Sequence, residues 1–197
     1  MIDSPFASLK NEGGIFLLRL QSEDRLNRLT GACIADLRAI LRKISAEARP
    51  LVISGNAEFF SAGADLEEIR RLDGPAAYDF AKTGQALMRA VEEFPAPVYA
   101  AISGYCMGGG LDLALACHRR IASRNAVFGH RGAALGLITG WGGTQRLPRL
   151  VGKGIALEMF VAAGKIAAPQ AVEIGLVDAI ADDPVAEASS RIKSKRA

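Results

Sequence analysis

Two histidines, three cysteines and one tryptophan are all that 197 residues contain, and this scarcity removes several chemistries at once. Cys33, Cys106 and Cys117 are odd in number and scattered, with neither Cys-x-x-Cys nor histidine at ligand spacing, so each reads as a small core residue. His118 and His130 stand apart from any Cys/His cluster, and no structural zinc or catalytic metal site is expected. Long apolar runs are missing too: each is broken by Gly, Asp or Arg well short of membrane-spanning length. The N-terminus has no basic region followed by an apolar core. A soluble, cytoplasmic protein with no membrane partner is therefore expected. Charge of one sign is not in excess either. A formal net charge of +3 from dispersed basic residues does not point to nucleic acid, though it is compatible with an anionic ligand.

What the chain does have is apolar content and glycine. Hydrophobic residues make up 50% of it, enough to bury a sizeable core, and residues 1–197 read as one domain without a linker. Ile15 to Leu20 is a run of strand length, and Ala32 to Ala46 carries Leu and Ile at three- and four-residue intervals, the period of an amphipathic helix. Further strands are expected from Leu51 to Ser54, Val98 to Ile102, Arg120 to Ser123 and Val177 to Ile180, with an apolar face reappearing at Val127-Phe128. Helices are expected from Leu66 to Arg71, Ala76 to Glu93, Gly109 to Cys117, Thr144 to Val151, Ile155 to Ala163 and Pro169 to Ile174. Such alternation predicts an α/β domain. Asp73-Gly74-Pro75 reads as a mobile loop at the site, and Arg191 to Ala197 as a solvated, frayed basic tail.

Three consecutive glycines, Gly108-Gly109-Gly110, leave an apolar strand and open an alanine-rich helix. The first N–H groups of a helix lack intrahelical partners and sit at the positive end of its dipole, so a negatively charged oxygen is stabilised there. The lysine and Ser/Thr of a P-loop are missing, as are the spaced glycines of a dinucleotide fingerprint, which leaves an oxyanion hole as the better fit. An oxyanion hole needs a second converging donor. Phe59-Phe60-Ser61-Ala62-Gly63-Ala64-Asp65-Leu66 again places small residues around a glycine ahead of a helix. Either segment alone is more simply a tight turn with no ligand.

Phe60 to Leu66, Ser103 to Ala114, and Gly136 through Gly140-Trp141-Gly142-Gly143-Thr144-Gln145-Arg146 to Gly152 form three blocks. In order and spacing they resemble the crotonase superfamily, the enoyl-CoA hydratase and isomerase group. Weaker similarity runs from Leu26-Asn27 to Asp178, so most of the chain is covered. The resemblance implies a spiral of repeated strand-strand-helix units with the active site between neighbouring turns. It implies an acyl-CoA thioester substrate, coenzyme A entering as part of that substrate with no other cofactor, and assembly as a homo-oligomer, trimer or hexamer. It also implies that the N–H groups of Ala64 and Gly109 hold the thioester oxygen while an enolate develops, with the CoA adenine against Ala62, Asp65 and Leu66.

The acid/base groups are where this chain departs from that family. Its hydratases use two glutamates, and the resemblance puts the first at Asp112, one methylene shorter, and the second at Gly132, in a loop with no carboxylate. Asp112 in a first helical turn serves equally as a cap that complements the dipole. His130 is open to a role as base or as a hydrogen-bonding loop residue. Tyr78, Glu67 and Glu68 are weaker candidates, and Trp141 either narrows the acyl pocket or packs in the core. Typical relatives continue into a C-terminal helical segment beyond the point where this chain stops. Three functions compete: an acyl-CoA hydratase/isomerase using Asp112, a CoA-thioester-binding protein or complex subunit with little catalysis, and a crotonase-fold decarboxylase or thioester hydrolase. Under the first, Gly132→Glu is expected to raise hydration by restoring the second acid/base group.

Overall fold

The computed structural model describes residues 2–194, and in it the strand-forming segments divide between two main sheets. Strands β1 (Ile2–Asp3), β2 (Ala7–Glu12) and β3 (Ile15–Leu20) precede β4 (Arg28–Leu29) and α1 (Gly31–Ser45). Next, β5 (Leu51–Ser54), β6 (Phe59–Ser61) and β7 (Gly63–Ala64) lead to α2 (Leu66–Arg70) and α3 (Gly74–Glu92). β8 (Val98–Ile102) and β9 (Tyr105–Met107) lead to α4 (Gly109–Ala116), and β10 (Arg119–Ala122) and β11 (Val127–Gly129) lead through a single 3-10 turn to α5 (Gly143–Val151). The chain continues through α6 (Lys153–Ala162), β12 (Ile166–Ala167), α7 (Ala168–Glu173), β13 (Ala179–Ile180) and α8 (Pro184–Ser194).

A seven-stranded sheet has the order β1-β2-β3-β5-β8-β10-β13, antiparallel over its first three strands and parallel from β3 onward. A second sheet has the order β12-β11-β9-β6, and β4 pairs with β7 in a short parallel ribbon. Each turn of the chain thus places one strand in the large sheet and the next in the small one, as in β5-β6, β8-β9 and β10-β11, before a helix returns it. This is the α/β domain that the alternation predicts, wound into the spiral of strand-strand-helix units that the resemblance implies. Every residue of β8 is buried, as befits a central parallel strand covered on both faces.

Alternation along the large sheet sorts its side chains into two cores. Leu51, Ile53, Val98, Ala100 and Ile102 face α1, α3 and α4 in the main core. Val52, Tyr99, Ala101 and Ile121 face the opposite way, where Ala188 and Ile192 of α8 cover them. The expectation of a frayed tail from Arg191 onward is therefore corrected. Ile192 is 3% exposed, Arg191 pairs with Glu187 at 2.6 Å, and of this tail 195–197 lie outside the described residues. Val185, Ala188 and Ile192 carry helical spacing behind Asp183, which accepts from the N–H groups of Val185 and Ala186; the surrounding basic residues mask that signal.

Other boundaries also move for local reasons. Asp73-Gly74-Pro75 is a helix start rather than a mobile loop, because the Asp73 carboxylate accepts from the Ala76 N–H and the proline sits in the first turn of α3. The last strand is shorter than expected, β13 covering Ala179–Ile180, and the carboxylate of Asp178 just before it accepts from Arg119 and from the Arg120 N–H. All three cysteines are buried free thiols, those of Cys33 and Cys117 pushed up to about 12 chiefly by burial, so they are chemically quiet. No helix among the described residues is long and apolar enough to cross a membrane.

Candidate active site

The two glycine segments meet. A Cβ on Gly63, which has φ +95°, would lie 2.6 Å from the Met107 carbonyl oxygen and 3.0 Å from the Gly109 nitrogen. A Cβ on Gly109 would lie 3.4 Å from the Ala64 nitrogen. Backbone is therefore packed on backbone, which only glycine permits at such a range. Gly109 opens α4, so its N–H is one of the first-turn donors that lack an intrahelical acceptor. The first segment is braced from behind by Asn27, whose side-chain nitrogen donates to the carbonyls of Phe59 and Phe60 at 2.9 and 3.2 Å. Ser61 completes the brace: its hydroxyl donates to the Asn27 carbonyl at 2.7 Å and accepts from the Gly63 N–H at 3.1 Å.

These segments form one wall of a predominantly apolar cavity of about 810 Å³. Ala62, Ala64 and Leu66 line it from the first segment, and Gly109 and Asp112 from α4. His130, Gly132 and Trp141 line it from the loop between β11 and α5. Asp65 is placed differently, its carboxylate capping α2 by accepting from the N–H groups of Glu67 and Glu68. Glu68 in turn accepts from the Gly31 N–H at the start of α1, Glu67 faces Arg70 at 3.4 Å, and Tyr78 is 64% exposed. These three lesser candidates hold helix ends or face solvent instead of reaching the cavity.

Asp112 is fully buried, and its carboxylate accepts from the Thr139 hydroxyl through Oδ2 rather than from the N–H groups of α4. Oδ1 faces His130 Nε2 at 3.3 Å, without the alignment of a hydrogen bond, so both atoms are buried with no hydrogen-bond partner. The imidazole ring lies 5.1 Å from that of Phe160 on α6. Both unpartnered atoms also lie against Gly143 at the N-terminus of α5, where a Cβ would collide with Oδ1. Thr139 had no signature in the sequence, since nothing local distinguishes a hydroxyl that reaches a residue far back in the chain.

Gly132 carries its own constraint. Its carbonyl accepts from the N–H groups of Leu135 and Leu137 at 2.8 and 2.9 Å, folding the loop back on itself. A Cβ there would lie 2.6 Å from the Leu137 carbonyl oxygen. The expectation for Gly132→Glu changes accordingly: a side chain at this position is driven into backbone before its carboxylate reaches the cavity. Trp141 both lines the cavity and packs in the core, 4% exposed, between Gly84 of α3 and Gly109 of α4 with the Phe80 ring 5.2 Å away. Its indole fills space that side chains at those two glycines would occupy.

The family model described as enoyl-CoA hydratase/isomerase matches residues 10–193. A probable enoyl-CoA hydratase of Bacillus subtilis is 42% identical over 160 residues, which cover 80% of this chain and 62% of that protein. The chain thus spans under two thirds of the length of this relative. Among solved structures, the enoyl-CoA hydratase of Bacillus anthracis superposes with a TM-score of 0.88 at 34% identity, covering 96% of this chain and 75% of that one. The enoyl-CoA hydratase of Thermoplasma volcanium gives 0.91 at 34% identity, covering 97% and 77%. By sequence and by fold, this chain belongs to the enoyl-CoA hydratase/isomerase family.

Proposed function

We propose that the protein is an acyl-CoA thioester enzyme of the hydratase/isomerase type, with the N–H groups of Ala64 and Gly109 holding the thioester oxygen as enolate charge develops. The abutment of two glycine-opened backbone segments on the wall of an apolar cavity that also holds a buried carboxylate carries this conclusion. Donors fixed in a site of low dielectric stabilise developing charge more than mobile water does, at no cost in reorganisation. In this scheme the adenine lies along residues 62–66, the acyl group points toward Trp141, and coenzyme A arrives as part of the substrate with no further cofactor. Isothermal titration calorimetry checks the first step: a short enoyl-CoA is expected to bind and then turn over, and failure of every acyl-CoA to bind at millimolar concentration would overturn the assignment.

The crowded Gly132, with no room for a second carboxylate, favours one other reading. A reaction that needs only enolate stabilisation, such as decarboxylation or thioester hydrolysis, or simple acyl-CoA binding, dispenses with that group. Product analysis over enoyl-, malonyl-type and simple acyl-CoA substrates separates these outcomes. The protein is further proposed to act as a single domain in the cytoplasm and to assemble as a trimer or hexamer. Sedimentation should then show a mass near three or six chains, whereas a monomer over a wide concentration range would contradict the assembly.

A further inference from the structure

We propose that His130 is the group that moves the proton and that Asp112 positions it, the pair replacing the two separate carboxylates that hydration otherwise uses. The inference deepens the acyl-CoA assignment and rests on it. Both carboxylate oxygens of Asp112 are committed inside the protein, Oδ2 to the Thr139 hydroxyl and Oδ1 toward His130 Nε2 at 3.3 Å. The side chains of Asp112 and His130 are 1% and 4% exposed, and neither facing atom has a hydrogen-bond partner. A buried acceptor and a buried ring nitrogen left unsatisfied against each other cost free energy unless they share a proton. With Nε2 turned to the carboxylate, Nδ1 is the ring nitrogen left for a substrate. A carboxylate placed in this way fixes the tautomer of an imidazole and stabilises the imidazolium that forms during proton transfer.

The surroundings agree with this division of roles. Among the described residues lining the cavity, Asp112 is the only carboxylate; Arg131 and Lys165 are the other charged groups, both cationic. α6 presents Phe160 to the imidazole, and α5 presents Gly143 at its N-terminus, where negative charge on Asp112 is stabilised by the helix dipole. In hydration, His130 takes a proton from water as the water oxygen bonds to the β-carbon. The π pair then moves through the α-carbon onto the thioester oxygen at Ala64 and Gly109. As the enolate collapses, the imidazolium returns that proton to the α-carbon, and the net change is addition of one water. Asp112 touches no reacting atom in this sequence.

The chain has only two histidines, so ring-nitrogen NMR on labelled protein can read each one separately. His118 serves as reference, because its Nδ1 accepts from the Val98 N–H at 2.9 Å and its proton is therefore on Nε2. His130 is expected to carry its proton on Nε2 in the wild type. In Asp112→Asn, Thr139 donates to the amide oxygen, the amide NH2 turns to Nε2, and the His130 proton moves to Nδ1 while His118 is unchanged. Asp112→Asn and His130→Gln should each lower kcat on a short enoyl-CoA by roughly 100- to 10,000-fold, the usual worth of general acid/base catalysis. Affinity for a saturated acyl-CoA should stay at the wild-type value. Two results overturn the pairing: an unchanged His130 tautomer in Asp112→Asn, or wild-type kcat in folded His130→Gln. Either leaves the acyl-CoA assignment standing if calorimetry still shows binding. A wild type that binds acyl-CoA and turns none over ends the proton-carrying role as well, and one that binds none ends the assignment beneath it.

Discussion

Gly109→Pro is expected to turn over acyl-CoA about 100- to 1,000-fold more slowly than Gly109→Ala, the usual cost of removing one oxyanion donor. The comparison is between two variants because the first carbon of either side chain collides with the Trp141 indole. Both therefore displace the same ring, and they differ in the N–H that proline lacks. Position 109 is the first residue of α4, where the fixed backbone of proline is compatible with a helix and no intrahelical hydrogen bond is lost. The preceding residue is Gly108, with no Cβ to clash with the proline ring. Steady-state rates on a short enoyl-CoA, with circular dichroism to confirm folding, make the measurement. Equal rates in the two variants would remove Gly109 from the oxyanion hole and leave only the steric effect of the side chain.

Asp178→Ala should cost about 3–5 kcal/mol of stability, because it leaves a buried charge without its partner. Arg120 on β10 is 5% exposed. Its guanidinium donates to the carbonyls of Leu176 and Cys117 at 2.9 and 2.7 Å. Burial pushes that guanidinium below its usual range, and the Asp178 carboxylate at 3.5 Å pulls in the opposite direction. The same carboxylate accepts from the Arg120 N–H at 2.8 Å, whereas its contact with Arg119, which is half exposed, lies at the rim and contributes little. Through Cys117 the cluster also fastens the C-terminal end of α4, the helix whose other end presents Gly109. Urea unfolding should show the loss in Asp178→Ala and recovery of most of it in a double variant with Arg120→Met, which removes the stranded charge. A loss below about 1 kcal/mol would mean that water reaches and solvates the guanidinium.

The elements legible in the sequence are those whose signals are local. α1 carries a Leu/Ile stripe and is capped by Thr30, which accepts from the Cys33 N–H, and β8 is an unbroken apolar run of strand length. α8 has a weak sequence signal because its stripe has only three apolar members, and it becomes a helix mainly by covering Val52, Tyr99 and Ala101 on the back of the sheet. Asp73-Gly74-Pro75 reads as a loop from sequence because Gly and Pro signal a turn and a helix start alike; the carboxylate on the Ala76 N–H decides between them.

The amino-acid sequence by itself determined the alternation of elements, the scarcity of sulfur and imidazole, and the two places where glycine exposes backbone ahead of a helix. Each is a statement about neighbours along the chain, and local sterics and periodicity suffice to make it. Tertiary structure alone decided that Gly63 and Gly109 touch and that Thr139 and His130 close on Asp112. It also decided that Gly132 is pinned under the Leu137 carbonyl, where a glutamate finds no room. The contacts of Gly63 with Gly109 and of Asp112 with His130 and Thr139 join residues far apart in sequence, brought together when apolar faces of successive turns of the spiral are buried against one another. Burial is non-directional and leaves no local signature of which polar atoms it will trap face to face.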